Sequence, residues 1–269
     1  MWLAWLLAGC APPLPAQGSV HVLTYNVAGL PEGISGSHPL VDMTQIAPKL
    51  DGYDLALLQE DFAYHDDLVN GSDFPYDSGW GEPRQRTVGD GLTRFSIFPL
   101  GPTDRVQWDA CNGGIDFGAS DCLAEKGFSV DEVHLADGVS LLVYNLHADA
   151  GNGQADAEAR ASNFAQIAAD IAARAGDHAV LVAGDTNLHG AADDPRILQD
   201  FLDASGTHDA CRTLQCGDEH IDRFMFRSGS ELTLQPTAWA VATEFVDGDG
   251  QPLSDHPAIA VTVDWQIPE

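Results

Sequence analysis

Short runs of β-branched and aromatic residues recur along this chain, each bounded by Gly, Asp or Pro, and they constrain its fold more than any other feature. Runs of this length and composition are typical of β-strands. We predict strands at residues 20–25, 55–59, 127–133, 139–146, 179–183, 221–226 and 258–265.

Helical patterns lie between several of these strands. In residues 155–175 apolar side chains recur every three or four positions and form one face, and Gly176 is expected to end the helix. Residues 39–50 and 195–204 are weaker helix candidates, and Pro48 is expected to interrupt the first of them.

The mixture of strands and helices predicts an α/β fold in which sheets pack face to face and helices cover them. With 44% hydrophobic residues, the 269-residue chain has enough apolar side chains for a packed core. No long linker, low-complexity stretch or internal repeat interrupts residues 19–269, so we expect a single domain there.

The chain is strongly acidic, with 41 acidic against 12 basic residues and a formal charge of −29. Proteins gain affinity for nucleic acid from Lys and Arg residues that neutralise phosphates, so this charge disfavours a nucleic-acid partner. The same charge favours a divalent-cation cofactor. It is equally well explained by the solubility of an extracellular or salt-adapted protein.

The first ten residues form an apolar run that is too short to span a bilayer and ends at Cys10. Leu7-Ala8-Gly9-Cys10 resembles the lipobox of bacterial lipoproteins, which implies export and a membrane anchor on Cys10. No Lys or Arg precedes the run, although export signals normally begin with one. We expect residues 1–18 to be signal, anchor and tether, and the protein to be membrane-anchored or secreted.

Four further cysteines lie in two close pairs within Gly- and Asp-rich stretches. In an exported protein the simplest interpretation is two local disulfides, Cys111–Cys122 and Cys211–Cys216. A zinc site is the alternative, but neither pair has the CxxC spacing of zinc knuckles.

Polar side chains recur where the apolar runs begin or stop. They are Asn26, Glu60, His147, Asp185, Asn187, Asp222, Asp255 and His256. An isolated Asp or Asn after a strand usually forms a turn, and a lone His is usually structural. Because strand ends share one rim of a sheet, these residues are nevertheless predicted to converge on one pocket.

Such a set of side chains suits a hard divalent cation. Mg²⁺ binds carboxylates together with amide oxygens and water, and Mn²⁺ or Ca²⁺ accept the same ligands. Histidines would make the site catalytic, because one could deprotonate a water molecule while another stabilises developing negative charge.

Six motifs resemble, in sequence and in order, those of the DNase I-like endonuclease/exonuclease/phosphatase superfamily. They are Leu23-Thr24-Tyr25-Asn26-Val27, Leu57-Leu58-Gln59-Glu60, Asn145-Leu146-His147, Gly184-Asp185-Thr186-Asn187, His220-Ile221-Asp222-Arg223 and Ser254-Asp255-His256. The resemblance implies a four-layered α/β/β/α sandwich and hydrolysis of a phosphodiester by in-line attack of water.

The resemblance also implies the metal ligands and the base. Glu60 would be the principal Mg²⁺ ligand, assisted by Asn26, and Asp255 would lie on the metal side. His256 would be the general base, oriented by Asp222.

Two further roles concern the substrate. By the same resemblance, Asp185 and Asn187 would position the nucleophile and the phosphate. His147 would stabilise the transition state or the leaving group. No role follows for Asp61, which adds an acid beside Glu60.

Within the superfamily, the stretch around Lys126-Gly127 is most similar to secreted bacterial sphingomyelinases and related phospholipase C enzymes. This implies a phospholipid substrate, and the acidic charge agrees because a choline head group is cationic. Membrane insertion of Phe74, Tyr76 or Trp80 is less favoured than packing of these aromatics on the core. We expect the chain to act as a monomer.

Two other functions stay open. A secreted nuclease would use Arg84, Arg86 and Arg94 as phosphate contacts, although arginines among so many acids more often form surface ion pairs. A catalytically silent binding lipoprotein would keep the fold without the reaction, but it would not need the complete polar set.

Overall fold

The computed structural model of the chain describes residues 16–33, 37–81, 88–113, 122, 124–217 and 220–268. Within these ranges the strands are β1 (Gln17–Asn26), β2 (Leu55–Gln59), β3 (Tyr76–Asp77), β4 (Thr93–Ser96), β5 (Asp104–Gln107), β6 (Gly127–Ala136), β7 (Val139–His147), β8 (Val180–Asp185), β9 (His208–Asp209), β10 (Asp222–Arg227), β11 (Thr233–Val241) and β12 (Ile259–Gln266). The helices are α1 (Pro39–Leu50), α2 (His65–Gly71), α3 (Gln154–Arg174), α4 (Asp194–Ser205) and α5 (Ala210–Leu214).

The strands form two six-stranded sheets. The first sheet has the order β11-β12-β1-β2-β4-β3, and the second has the order β5-β6-β7-β8-β10-β9. Strands β1 and β2 run parallel at the centre of the first sheet, and β7 and β8 run parallel at the centre of the second. Each parallel pair therefore ends at one edge of its sheet.

Three hydrophobic clusters lie between the layers of the fold and pack them together. Val22 and Leu57 of the first sheet and Val143 and Leu181 of the second belong to a cluster between the sheets. A second cluster joins the other face of the second sheet to α3 and α4, and a third joins the first sheet to α1. The order of layers is α/β/β/α, which confirms the predicted sandwich.

The main helices lie where the sequence pattern placed them. The bounds of α3 and α4 differ from the prediction by one residue at each end, and Gly176 follows α3 with a left-handed φ of 48°. The predicted interruption of α1 is wrong, because the helix continues through Pro48 to Leu50. Pro48 lies in the last turn, so its missing N–H removes a hydrogen bond only where the helix is about to end.

The strands that the prediction missed are short or lie at sheet edges. Strands β3 and β9 have two residues each. Strand β11 contains Pro236, and its register with β12 shifts there. An edge strand tolerates proline because the outer side of the strand needs no hydrogen bond. Proline elsewhere argues against a strand, so the sequence pattern around Pro236 did not predict β11.

Both predicted disulfides are present. The Cα atoms of Cys111 and Cys122 are 5.5 Å apart, and those of Cys211 and Cys216 are 4.9 Å apart. Because all four sulfur atoms are in disulfides, the zinc alternative is wrong.

The signal-like features lie outside the described residues, since Cys10 and the motif that precedes it fall within residues 1–15. The tether predicted for residues 1–18 reaches into β1, which begins at Gln17. In the described part of the chain, no helix is long and apolar enough to cross a membrane.

Candidate active site

The predicted strand-end residues meet at one edge of the sandwich. Asn26 is the last residue of β1. His147 and Asp185 end the parallel strands β7 and β8 in register, and Asp222 begins β10 opposite Asp185. Alternation along each strand places these side chains on the face that lies between the sheets. The apolar core between the sheets therefore ends in a polar site.

Asn26 connects acids from the two sheets. Its Nδ2 lies 3.2 Å from Oε1 of Glu60 and 3.2 Å from Oδ2 of Asp185. Its Oδ1 accepts a hydrogen bond from the backbone N–H of Ala28. Burial raises the pKa of Glu60; Asp185 adds to this shift, whereas Lys126 and the hydrogen bond from Asn26 oppose it.

Asp185 lies at the centre of the site and is only 1% exposed. Burial and the nearby charge of Asp222 raise the pKa of Asp185 to about 6, against the opposing effect of His256. Carboxylates held this close in a buried site repel one another when both are ionised. The site therefore favours a bound positive charge.

His147 is a buried, neutral ring beside these acids. Its Nε2 lies 3.4 Å from Oδ2 of Asp185 and 3.9 Å from Oε1 of Glu60. Burial lowers the pKa of His147 well below its usual value, and the charges of Lys126 and His256 lower it further. A neutral imidazole carries one N–H, which can stabilise charge on an oxygen.

His256 and Asp222 form a hydrogen-bonded pair, with 2.9 Å between Nδ1 and Oδ2. The other ring nitrogen, Nε2, lies 3.8 Å from Oδ2 of Asp185. Burial alone would lower the pKa of His256, but the hydrogen bond and charge of Asp222, aided by Asp185 and Asp255, raise it to about 9. The carboxylate of Asp222 thus orients the ring and favours its protonated form, and the ring can act as a base once it has lost that proton.

Two site residues have left-handed backbones that side chains rarely adopt. Glu60 has a φ of 57° and Asn187 has a φ of 49°. The backbone N–H of Asn187 donates to Oδ1 of Asp185 at 2.9 Å, and its Nδ2 donates to the carbonyl oxygen of Ala148 at 3.1 Å. Such conformations persist where surrounding contacts hold them, and they concentrate at functional sites.

Asp61, for which the sequence suggested no role, anchors the turn that carries Glu60. Its Oδ2 lies 2.6 Å from Oγ1 of Thr93 and 2.6 Å from Nδ1 of His65. The indole N–H of Trp80 donates to the backbone carbonyl of Asp61 at 2.9 Å. His65 and Thr93 were not identified from the sequence, since nothing in their local pattern indicates that both contact Asp61.

Lys126 is a further residue of the site that the strand-end pattern did not identify. It is 9% exposed, and its Nζ lies 3.4 Å from the carbonyl oxygen of Ala148. Its charge lowers the pKa of both Glu60 and His147. A lysine immediately before a buried strand, in a chain with few basic residues, was the available signal.

The donor set fits a divalent cation. Ligand atoms of Asp185, Asp222 and His256 lie within 4.8 Å of one another, and Asn26 joins Glu60 to this group. Burial raises the pKa of Glu60, Asp185 and Asp222, and the charge of a bound cation would lower these pKa values again. Oxygen ligands of this kind suit Mg²⁺.

Asp255 occupies a different position from the other acids. It is exposed, and its Oδ1 lies 3.4 Å from Oγ of Ser254. Its charge nevertheless reaches the site, because it contributes to the raised pKa of both Glu60 and His256. The assignment of Asp255 as a metal-side residue stays a prediction.

The phosphate-contact role predicted for Arg94 is wrong. Arg94 is fully buried, forms an ion pair with Asp131, and donates through Nη2 to the carbonyl of Val143 at 3.0 Å. A guanidinium enclosed between two sheets cannot reach a substrate. Arg84 and Arg86 lie outside the described residues.

The aromatic residues considered for membrane insertion are mostly packed. The ring of Phe74 lies 5.8 Å from that of Phe95, and Trp80 stacks on His65 at 6.1 Å. Tyr76 is 41% exposed. Packing on the core, the favoured interpretation, therefore holds for Phe74 and Trp80.

No family model matches the chain. Among curated proteins, it is 32% identical to a sphingomyelinase of Mycobacterium tuberculosis over 281 residues, which cover 94% of this chain and 54% of the relative. A sphingomyelinase of Mycobacterium bovis matches equally well. The chain thus spans about half the length of these relatives.

Three solved structures share the fold. Sphingomyelinase C from Streptomyces griseocarneus superposes with a TM-score of 0.67 at 20% identity, covering 91% of this chain and 99% of that one. A beta toxin from Staphylococcus aureus with bound magnesium ions gives 0.67 at 14% identity, with the same coverage. D. rerio TDP2 complexed with a single-strand DNA product gives 0.70 at 17% identity, covering 91% and 98%. With its two-sheet sandwich, the chain thus has the DNase I-like fold of these three solved structures.

Proposed function

We propose that this chain is a divalent-cation-dependent phosphodiesterase that hydrolyses a phospholipid, with sphingomyelin as its substrate. The observation that carries the proposal is the convergence of Glu60, His147, Asp185 and the Asp222–His256 pair on one edge of the sandwich. A phosphodiesterase needs a base, a means of stabilising charge on phosphate and ligands for a cation, and this set supplies all three.

Some residues of the site bind the cation, and others accept the proton of the attacking water. Glu60 is the proposed principal ligand, with Asp255 alongside. Asn26 would assist Glu60 by turning its amide so that Oδ1, which here accepts from Ala28, faces the cation. A bound Mg²⁺ would neutralise the carboxylates and polarise the phosphoryl oxygens. His256 in its neutral form accepts a proton from the attacking water at Nε2, while Asp222 holds the N–H at Nδ1.

The substrate is held by the remaining polar groups. Asp185 and Asn187 orient the attacking water and the phosphate. The neutral ring of His147 donates its N–H to the phosphoryl oxygen or to the departing oxygen as the bond from phosphorus to the lipid breaks.

Two observations favour a sphingomyelin-type substrate. The curated relatives are named sphingomyelinases and match 94% of this chain. In addition, a formal charge of −29 attracts a cationic choline head group and repels nucleic acid.

The nuclease alternative has weaker support. It rests on the shared fold with TDP2, whereas the acidic charge and the burial of Arg94 oppose it. A silent binding protein would have no reason to keep the Asp222–His256 pair beside a set of potential ligands.

We also propose that the protein is exported from a bacterial cell. Both disulfides support this, because such bonds persist mainly in oxidising compartments. The lipid anchor on Cys10 and the monomeric state stay predictions. Expression of Cys10→Ala tests the first, since an anchored protein would move from the membrane to the soluble fraction.

The activity is tested by incubating the purified chain and Mg²⁺ with sphingomyelin vesicles, phosphatidylcholine vesicles and plasmid DNA. We expect release of phosphocholine from sphingomyelin, and its loss on chelation or in Glu60→Ala and His256→Ala. Asp200→Asn is the matched control, because it removes a carboxylate that is 64% exposed on α4, outside the site. Inactivity of the native chain on all three substrates would refute the proposal.

A further inference from the structure

Two buried amide side chains, Gln59 and Asn145, connect the sheets directly behind the site. Both are 0% exposed, and Nε2 of Gln59 donates to Oδ1 of Asn145 at 2.7 Å. Gln59 ends β2 in the first sheet, whereas Asn145 lies in β7 of the second. We call these two residues the amide pair.

The amide pair makes further hydrogen bonds, mostly into the first sheet. Nδ2 of Asn145 donates to the backbone carbonyls of Leu58, at 2.8 Å, and Thr93, at 3.1 Å. Nε2 of Gln59 also donates to Oγ1 of Thr24 at 3.1 Å. Asn145 therefore holds two adjacent strands of the opposite sheet, β2 and β4, through directional bonds.

The pair lies one side-chain layer below the catalytic groups. Asn145 and His147 share a face of β7, and Thr24 and Asn26 share a face of β1. Two residues along a strand correspond to about 6–7 Å. Gln59 is directly followed by Glu60, and Asn26 comes two residues after Thr24, so Glu60 and Asn26 both lie next to this polar layer.

Burial alone does not explain amides at these positions. The next layer down on the same faces contains Leu57 and Val143, which fill the space between the sheets with apolar contacts. A buried amide gives up its hydration, and it is stable only when its hydrogen bonds are made. What the amides add is direction, because hydrogen bonds fix the relative position of two sheets more narrowly than apolar packing does.

The site needs that restriction, since its groups come from both sheets. Asn26 contacts Glu60 within the first sheet and Asp185 in the second at the same distance of 3.2 Å. We propose that Gln59 and Asn145 are positioning residues that hold the two sheets at the separation at which Asn26 bridges Glu60 and Asp185, so that a divalent cation bound by Glu60 lies beside Asp185. This inference rests on the proposed function of the site.

The decisive variant is Gln59→Met/Asn145→Leu, which replaces both amides by apolar side chains of similar size. Removing both partners avoids a buried side-chain amide left without its mate. The carbonyls of Leu58 and Thr93 and the hydroxyl of Thr24 still lose a partner, so some loss of stability is expected. We expect Mg²⁺ affinity, measured by isothermal titration calorimetry, to fall at least tenfold and kcat to fall with it, while KM for substrate changes little. In a crystal structure of the variant, the 3.2 Å contact between Asn26 and Asp185 would lengthen or be lost.

Leu141→Ala is the matched control, because Leu141 lies on the same face of β7 within the core between the sheets, four residues from Asn145. It creates a cavity in the core and should lower Tm, yet bind Mg²⁺ like the native chain. If Leu141→Ala weakens Mg²⁺ binding as much as the double variant, the amides are merely structural and the proposal is wrong.

Thr24→Val gives a second test that does not depend on folding of the double variant. It removes the two hydrogen bonds between Thr24 and Gln59 without changing the size of the side chain, and it should weaken Mg²⁺ binding in the same direction by a smaller factor. Unchanged affinity in both variants would overturn the proposal. If the native chain neither binds Mg²⁺ nor hydrolyses a phosphodiester, the proposed function fails, and an unaltered contact between Asn26 and Asp185 in the double variant then refutes the positioning role separately.

Discussion

Nδ1 of His256 lies 2.9 Å from Oδ2 of Asp222, although 34 residues separate them in the chain. The histidine follows the Ser254-Asp255 turn before β12, in the first sheet, whereas the aspartate begins β10 in the second. The contact therefore joins the sheets at the edge where the other polar groups meet. It also controls the protonation of the proposed base.

We expect Asp222→Asn to lower the pKa of His256 from about 9 toward its usual value of about 6.5, since the partner charge is lost. The hydrogen bond would then be neutral and the ring less firmly oriented, so kcat should fall by about 10²-fold or more. NMR titration of the His256 ring without added cation measures the first effect. A pKa that stays near 9 would show that Asp222 is not its main cause.

The same pair makes stability depend on pH. Because the folded pKa of His256 is raised, its contribution to stability is complete below the unfolded value of about 6.5 and is lost as pH rises through about 9. Thermal unfolding of the native chain should therefore show a decline in Tm between pH 6.5 and 9. This decline should be shallower in Asp222→Asn.

Glu60→Gln keeps the size of the side chain and removes its charge. If Glu60 is the principal ligand, Mg²⁺ affinity should fall by at least about 10–100-fold, which is the loss seen even for residues that only support metal ligands. Calorimetric titration with Mg²⁺ measures this without reference to activity. Native affinity in the variant would exclude Glu60 as a ligand.

Arg94→Met should be strongly destabilising. Burial lowers the pKa of Arg94 and raises that of Asp131, and each group opposes the shift in the other, so the two buried charges stabilise one another. Removing one partner of a buried ion pair costs about 3–5 kcal/mol, whereas replacing both is often neutral. Urea unfolding of Arg94→Met and of Arg94→Met/Asp131→Leu compares the two, and equal losses would contradict the prediction.

Removal of the Cys111–Cys122 disulfide should lower stability by about 2–4 kcal/mol, chiefly by freeing the unfolded chain. The cysteines are 11 residues apart, whereas Cys211 and Cys216 are 5 apart. Because a shorter loop restrains the unfolded chain less, Cys211→Ala/Cys216→Ala should cost less than Cys111→Ala/Cys122→Ala. Urea unfolding under non-reducing conditions measures both, and the reverse order would be evidence against this account.

Much of the site could be predicted because strand ends are visible in a sequence. Asn26, His147 and Asp185 each stop an apolar run, and parallel neighbours end at the same edge. Helix α3 could be predicted for a similar reason, since its apolar periodicity is local. The position of Asp255 could not be settled this way, because a residue beside a strand end can face either the site or solvent.

The amino-acid sequence by itself determined the main helices, the longer central strands, the strand-end polar groups and the cysteine pairs, because each depends on residues close together in the chain. Tertiary structure alone decided that Arg94 is enclosed between the sheets, that the charge of Lys126 acts on Glu60, and that Gln59 meets Asn145. Contacts between residues far apart in the chain follow from how the sheets pair and pack, and local patterns carry no information about that.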